Sequence, residues 1–268
     1  MSKKIMIIVL LVLIVAAGWA FGKYASPSKT AGGNGSKAQA PLEAQPPAPT
    51  PGPETASPAP SAGGQARAEM PDDPESITAL INKEYGLPDH YRPDDLVYPD
   101  VRFLFKEKIE KRMMRKEAAE ALEQLFAAAE ADGIRLAGVS AFRSAETQQG
   151  LYNLYVERDG EEKAKTYSAL PGYSEHQTGL AIDVSGSDGS CAAESCFAGT
   201  PEAKWLEQHA ADFGYIIRFP EGKEDITGYM YEPWHIRYVG KEIARVVTEQ
   251  GITLEEYYNA VPVSKPGQ

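Results

Sequence analysis

The chain has 268 residues and a formal net charge of −11. That length supports one sizeable core, and the acidity excludes a nucleic-acid partner, because no basic stripe is available to neutralise phosphates. Pro, Ala, Gly and Ser crowd near the start, which argues for one domain behind a tail rather than two domains.

In chain order, Lys3 and Lys4 precede an apolar run from Ile5 to Phe21, the layout of an export signal. The run reaches the lower limit for a membrane span, roughly 17 residues. Gly18 and Ala20 suit signal cleavage and Trp19 suits an uncleaved anchor, so residues 1–24 read as a signal peptide or signal anchor. Either places the remainder outside the cytoplasmic membrane. Residues 25–72 contain scarcely any large apolar side chain. No core offsets the entropy of ordering them, so they read as a disordered linker whose prolines favour extended stretches. Ser26-Pro27-Ser28-Lys29 matches a Ser-x-x-Lys motif, but a tail offers no pocket to activate the serine.

The folded domain is expected over 73–262, with a short tail at 263–268. Glu75 to Tyr85 reads as a helix stopped by Gly86, and Pro88 to Asp100 as an extended wrap. Lys106 to Ala131 carries apolar residues at helical spacing (Ala119, Leu122, Phe126, Ala129) and stops before Gly133, which predicts a long amphipathic helix. Ile134 to Phe142 is strand-like, and Ser144 is placed to cap a helix from Ala145 to about Glu157, which brings Arg143 near Gln148. Gly179 to Val184 reads as a strand delivering Asp183. Pro201 to Phe213 reads as a helix capped by Thr200 and stopped by Gly214. Strands over Tyr215 to Phe219 and Trp234 to Val239 follow, then helices over Lys241 to Gln250 and Leu254 to Ala260. Helices and short strands without regular βαβ alternation indicate an α+β class, a small antiparallel sheet flanked by helices.

Two runs carry the chemistry: Ser174-Glu175-His176-Gln177-Thr178-Gly179-Leu180-Ala181-Ile182-Asp183 and Glu232-Pro233-Trp234-His235-Ile236-Arg237-Tyr238. Two imidazoles and two carboxylates are the inventory of a catalytic zinc site, with three ligands, an open position for water and an unligated base. His176, Asp183 and His235 make the three. Pro233 rules out a helical His-Glu-x-x-His arrangement, so Glu232 meets His235 through a turn and is left free as the base. Arg143 is the candidate for stabilising an oxyanion or holding a substrate carboxylate, against a plain surface ion pair. His90 and His209 sit in a Pro-rich wrap and a charged helix and read as solvated. Gly138-Val139-Ser140-Ala141-Phe142 misses a Gly-x-Ser-x-Gly elbow at its last position, which leaves a serine hydrolase a poor second. Cys191 and Cys196 are close in sequence. Outside the membrane a local bridge is favoured, with free thiols or loose metal binding as the alternatives.

These two runs, with Ser140-Ala141-Phe142-Arg143-Ser144, resemble the zinc D-alanyl-D-alanine carboxypeptidases of bacterial cell-wall remodelling and vancomycin resistance. The resemblance spans about Leu80 to Val239. It implies zinc held by His176, Asp183 and His235, Glu232 as catalytic base, Arg143 polarising the scissile carbonyl, and Gln148, Ser174, Trp234 and Tyr238 lining the substrate pocket. Arg218-Phe219-Pro220 departs from the Arg-Tyr-Pro of similar members, removing an expected phenol. The implied function is removal of the C-terminal D-Ala from peptidoglycan stem peptides with D,D- or L,D-specificity; the N-terminal segment makes the enzyme membrane-anchored or secreted in the bacterial cell envelope, and a monomer is expected. A wall endopeptidase and a non-catalytic, zinc-containing wall-binding module are the alternatives.

Overall fold

The structure, a computed structural model, describes residue 71 and residues 73–260. The expectations for 1–24 and 263–268, and for 25–72 apart from residue 71, fall outside the described residues.

Four antiparallel strands form the sheet on which the site is built: β3 (Leu136–Ser140), β4 (Ala181–Gly186), β6 (His235–Tyr238) and β5 (Tyr215–Ile217), in that order across the sheet. A separate two-stranded pair joins β1 (Leu96–Val97), in the wrap, to β2 (Met114–Arg115), just ahead of the first helix. Helix α1 (Lys116–Ala131) buries Ala118, Ala119, Leu122, Leu125 and Ala129, a stripe at three- and four-residue spacing. That stripe joins Leu180, Ile182, Val184, Tyr215 and Ile236 in the main core. Two hydroxyls tie the sheet to α1: Tyr215 donates to the Ala118 carbonyl at 2.6 Å and Tyr238 to Glu117 at 2.8 Å.

Local chemistry sets the helix ends. Ser144 accepts from the Thr147 amide at 3.2 Å and starts α2 (Ala145–Asp159), which is followed by the short α3 (Glu161–Ala164). Thr200 caps α4 (Pro201–His209) in the same way, with a 3-10 turn to Phe213 and a left-handed Gly214 closing the segment. After α5 (Glu224–Thr227), helices α6 (Lys241–Gln250) and α7 (Leu254–Tyr258) close a second cluster with Leu80, Ile216 and Val239. Thr253 and Glu256 form a reciprocal capping box at the head of α7.

Two expected helices change. Residues 75–85 form turns, bends and irregular backbone; over 82–85 the Asn82 side chain accepts from the Glu84 and Tyr85 amides and offers the backbone an alternative to a helix. The helix expected from Lys106 begins at Lys116 instead. Ahead of it, Glu110–Arg112 makes a single 3-10 turn and Met114–Arg115 pairs with β1. The Arg115 amide donates to Gly179 at 2.9 Å and the Lys116 amide to Asp95 at 3.1 Å, so those donors are committed outside a helix. The last helix ends at Tyr258, where Asn259 turns left-handed, and the short α3 and α5 had no expected counterpart.

Candidate active site

The register of β4 against β6 sets Asp183 directly opposite His235. On the other side of β4 an irregularity between Gly138 and Ser140 brings Ser140 beside Asp183, so the chain leaves β3 with Arg143 at the same end of the sheet. His176 arrives from the 3-10 turn Glu175–Thr178, and a left-handed Gly179 (φ 70°) swings the chain from that turn into β4.

The three side chains converge. His176 Nε2 lies 3.4 Å from Asp183 Oδ2, and His235 Nδ1 lies 3.0 Å from Asp183 Oδ1. The two imidazoles meet edge to face, with centroids 4.9 Å apart. One donor atom from each residue falls within 4.8 Å of the others, and all three residues are buried. His176 donates its Nδ1 proton to the Ala141 carbonyl at 2.8 Å, which leaves Nε2 free as a ligand. Two imidazole nitrogens and a carboxylate oxygen are a donor set that suits zinc. Burial favours the neutral forms. It lowers His176, with Arg143 pulling in the same direction. It also opposes ionisation of Asp183, yet the two imidazoles hold that carboxyl well below the usual range. His235 is raised to about 9 against its burial, through its contacts with Asp183 and Glu175.

Glu232 enters from the turn before β6, where the His235 amide donates to the Glu232 carbonyl at 3.1 Å. Its Oε2 is 4.0 Å from His235 Nδ1, and among the described residues its carboxylate accepts no hydrogen bond. Burial pushes this carboxyl up to about 8 against the pull of His235, with Asp183 adding to the rise. A divalent cation held by the neighbouring donors would draw it down again. Arg143 is fixed from two sides: it donates to Gln148 Oε1 at 2.7 Å and to Ser140 Oγ at 3.2 Å, and its Nη2 lies 4.0 Å from Asp183. The guanidinium is nearly enclosed, and that burial lowers its pKa.

A cavity of about 710 Å³ opens over this cluster. Arg143, Ser174, His176, Asp183, Glu232, Trp234 and His235 line its inner part. Tyr155, Arg158 and Lys163 stand on one flank and the Ala192–Ser195 loop on another. A disulfide between Cys191 and Cys196 closes that loop. Two expected pocket residues do not reach the cavity. Gln148 lies fully buried behind Arg143 and spends its amide on the Ala169 carbonyl at 2.7 Å. Tyr238 points to the opposite face of β6, where it bonds Glu117 and packs on Tyr215. His90 is exposed, and His209 lies against Trp205 away from the cluster. Phe219 packs its ring 5.0 Å from His235. The nearby Tyr229 lines the cavity with a buried hydroxyl that has no partner among the described residues.

Sequence reasoning missed a buried charge network beneath the site. Glu175 accepts from Arg218 Nε at 2.8 Å and from Arg237 Nη1 at 2.7 Å, and Arg218 also forks onto Glu255. The available signal was a charged residue just after one apolar strand and another inside a second, Arg218 after Tyr215-Ile216-Ile217 and Arg237 between Ile236 and Tyr238, since a buried charge demands a partner.

Comparison with known proteins agrees with the geometry. The family model described as VanY: D-alanyl-D-alanine carboxypeptidase matches residues 111–241. The chain is 50% identical over 193 residues to the putative carboxypeptidase YodJ of Bacillus subtilis (strain 168), covering 72% of this chain and 71% of the relative. Among solved structures, the LdcB LD-carboxypeptidase shares 49% identity at a TM-score of 0.67, over 74% of this chain and 93% of that one. A vancomycin-resistance D,D-pentapeptidase VanY in complex with Zn(II) shares 32% identity at a TM-score of 0.55, over 68% and 98%.

Proposed function

Because the chain belongs to the VanY D-alanyl-D-alanine carboxypeptidase family and is a zinc peptidase, we propose that it removes the C-terminal D-Ala from peptidoglycan stem peptides, with L,D-preference. The observation that carries this reading is the convergence of His176, Asp183, His235, Glu232 and Arg143 on the floor of one cavity. The L,D-preference is supported by the 49% identity to an LD-carboxypeptidase against 32% to a D,D-pentapeptidase.

His176, Asp183 and His235 would hold the zinc, which supplies Lewis acidity to a carbonyl oxygen and lowers the pKa of a water molecule. Glu232, buried and accepting no hydrogen bond among the described residues, takes the proton from the attacking water and returns it to the leaving amine of D-Ala. Arg143 offers its guanidinium to the scissile carbonyl, where negative charge grows. Gln148 and Ser140 hold that guanidinium in one place, so its orientation is fixed before substrate enters. Ser174 and Trp234 line the pocket for the terminal residue. Gln148 therefore acts through Arg143 instead of touching substrate.

The protein works outside the cytoplasmic membrane, as a monomer, with residues 1–24 as signal peptide or anchor, 25–72 as spacer and 73–262 as the catalytic domain. The Cys191–Cys196 bridge supports an oxidising compartment. Among the described residues no helix is long and apolar enough to cross a membrane.

Mass spectrometry of stem tetrapeptides and pentapeptides incubated with residues 71–268 tests the reading. Faster loss of one D-Ala from the tetrapeptide is the expected result. Preferential trimming of the pentapeptide reverses the specificity; cutting of cross-linked wall without release of D-Ala makes the protein an endopeptidase; and binding without any cleavage leaves a wall-binding module.

A further inference from the structure

The two nitrogens of His235 each face a carboxylate: Nδ1 lies 3.0 Å from Asp183, and Nε2 lies 3.5 Å from Glu175 Oε2. A neutral imidazole carries one proton, so the group opposite Nε2 decides which nitrogen is left with a lone pair. Both arginine contacts to Glu175 fall on Oε1, at 2.8 Å from Arg218 and 2.7 Å from Arg237. Among the described residues its other oxygen is buried with no hydrogen bond, and so is His235 Nε2. Two buried atoms without other partners, facing one another, satisfy each other when the proton sits on Nε2. A cation held by Asp183 and His176 would displace the Nδ1 proton that now bonds Asp183 Oδ1 at 3.0 Å, and Nδ1 would then be free as a ligand. His176 carries the opposite arrangement, its proton on Nδ1 toward Ala141.

Glu175 is in turn held by residues far away in sequence. Arg218 forks onto Glu255 in α7, at 3.0 and 2.7 Å, and Glu255 also accepts from Asn82 at 3.1 Å. Arg237 donates to the Ala79 carbonyl at 2.9 Å. Two arginines and two glutamates cancel in charge, and all four are almost fully buried. Losing one carboxylate therefore strands a buried cation.

We propose that Glu175 is a positioning residue that keeps the His235 proton on Nε2 and its Nδ1 turned to the zinc, and that Asn82 and Glu255, outside the residues 111–241 matched by the family model, belong to the same functional unit. The proposal rests on the zinc reading above and adds that α7 and the turn segment bearing Asn82 help hold a metal ligand through Arg218 and Glu175.

The test uses the full chain loaded with zinc and labelled with ¹⁵N-histidine. Long-range ¹H–¹⁵N spectra should show His235 protonated on Nε2 and His176 on Nδ1, with substitutions at His90 and His209 assigning the other signals. A His235 proton on Nδ1 overturns the proposal. In parallel, chelator competition should show zinc held about 10- to 100-fold more weakly by Glu175→Gln, the usual effect of removing such an outer partner, and weakened in the same direction by Glu255→Gln. Folded variants, judged by circular dichroism, that bind zinc within about twofold of the parent also overturn it. Should Glu175→Gln fail to fold, the parent's spectrum decides alone. A parent with the stated proton positions that releases no D-Ala supports the positioning role and sinks the carboxypeptidase reading.

Discussion

Replacing Glu232 by Gln separates the proposed base from the proposed ligands. The carboxylate is buried, accepts no hydrogen bond among the described residues, and lies 4.0 Å from His235 Nδ1 without belonging to the converging trio. An amide keeps the volume and removes only the capacity to take a proton, so Glu232→Gln should fold and bind zinc like the parent. General acid and base assistance contributes about 10²- to 10⁴-fold, so kcat should fall by that factor, a barrier increase of about 2.7 to 5.4 kcal/mol. His235→Ala should lose zinc and activity together, since two donors rarely retain a catalytic zinc. The assay pairs elemental analysis for zinc with D-Ala release from a stem tetrapeptide. Release by Glu232→Gln at the parent rate would falsify the assignment of the base. Zinc lost in step with activity would make Glu232 a ligand.

Gln148→Leu removes the 2.7 Å bond that orients Arg143. It should lower kcat/KM by about 10- to 100-fold, equivalent to about 1.4 to 2.7 kcal/mol, at unchanged zinc content; steady-state kinetics with an unchanged kcat/KM contradicts this. Breaking the Cys191–Cys196 bridge by a double Ser substitution opens a loop of five-residue separation, and should cost about 2 kcal/mol on the chain-entropy account. Because that loop flanks the cavity, KM should rise more than kcat falls, and uptake of two alkyl groups by native, unreduced protein sinks the bridge itself. Ala substituted at two glycines should act with opposite sign in thermal unfolding. At Gly179 (φ +70°) a Cβ meets Leu96 at 2.8 Å and the Arg115 amide at 3.2 Å, while at the exposed helical Gly150 it meets nothing within 4 Å. Gly179→Ala should lose about 1 to 3 kcal/mol and Gly150→Ala should gain up to about 1 kcal/mol; shifts of the same sign refute the argument.

The α+β class and most helix ends were legible because they depend on neighbours in sequence. Ser144, Thr200 and Gly214 act within three or four residues of themselves, and each stands where its chemistry predicts. The start of α1 was not legible. Apolar spacing continues upstream of Lys116, but the Arg115 and Lys116 amides are claimed by Gly179 and Asp95. One of those acceptors lies in a distant part of the chain, and no local pattern announces it. Sheet order has the same character, because β4 and β6 pair across an excursion that contains a disulfide loop, two helices and a third strand.

In the site, spacing and residue type pointed to the residues that meet at the cavity floor, since a metal site draws on a short list of side chains. Face was the harder matter. His235 and Tyr238 are three apart in one strand, and strand side chains alternate, so they must lie on opposite faces. Parity alone places Tyr238 against α1 and removes it from the pocket, a step that the motif as a unit obscures. The same parity puts Arg237 on the face of His235, inside a strand otherwise buried against apolar neighbours. A guanidinium there has to find an anion, and that much is legible from sequence. Which anion is not. Glu175 lies 62 residues from Arg237, and Glu255 lies 37 from Arg218. Their meeting depends on where the Glu175–Thr178 turn and α7 dock, a consequence of the whole fold. The proposed functional unit is accordingly wider than its motifs: the three residues proposed to hold zinc fall within two short runs, whereas the hydrogen-bonded network behind them extends from Asn82 to Glu255.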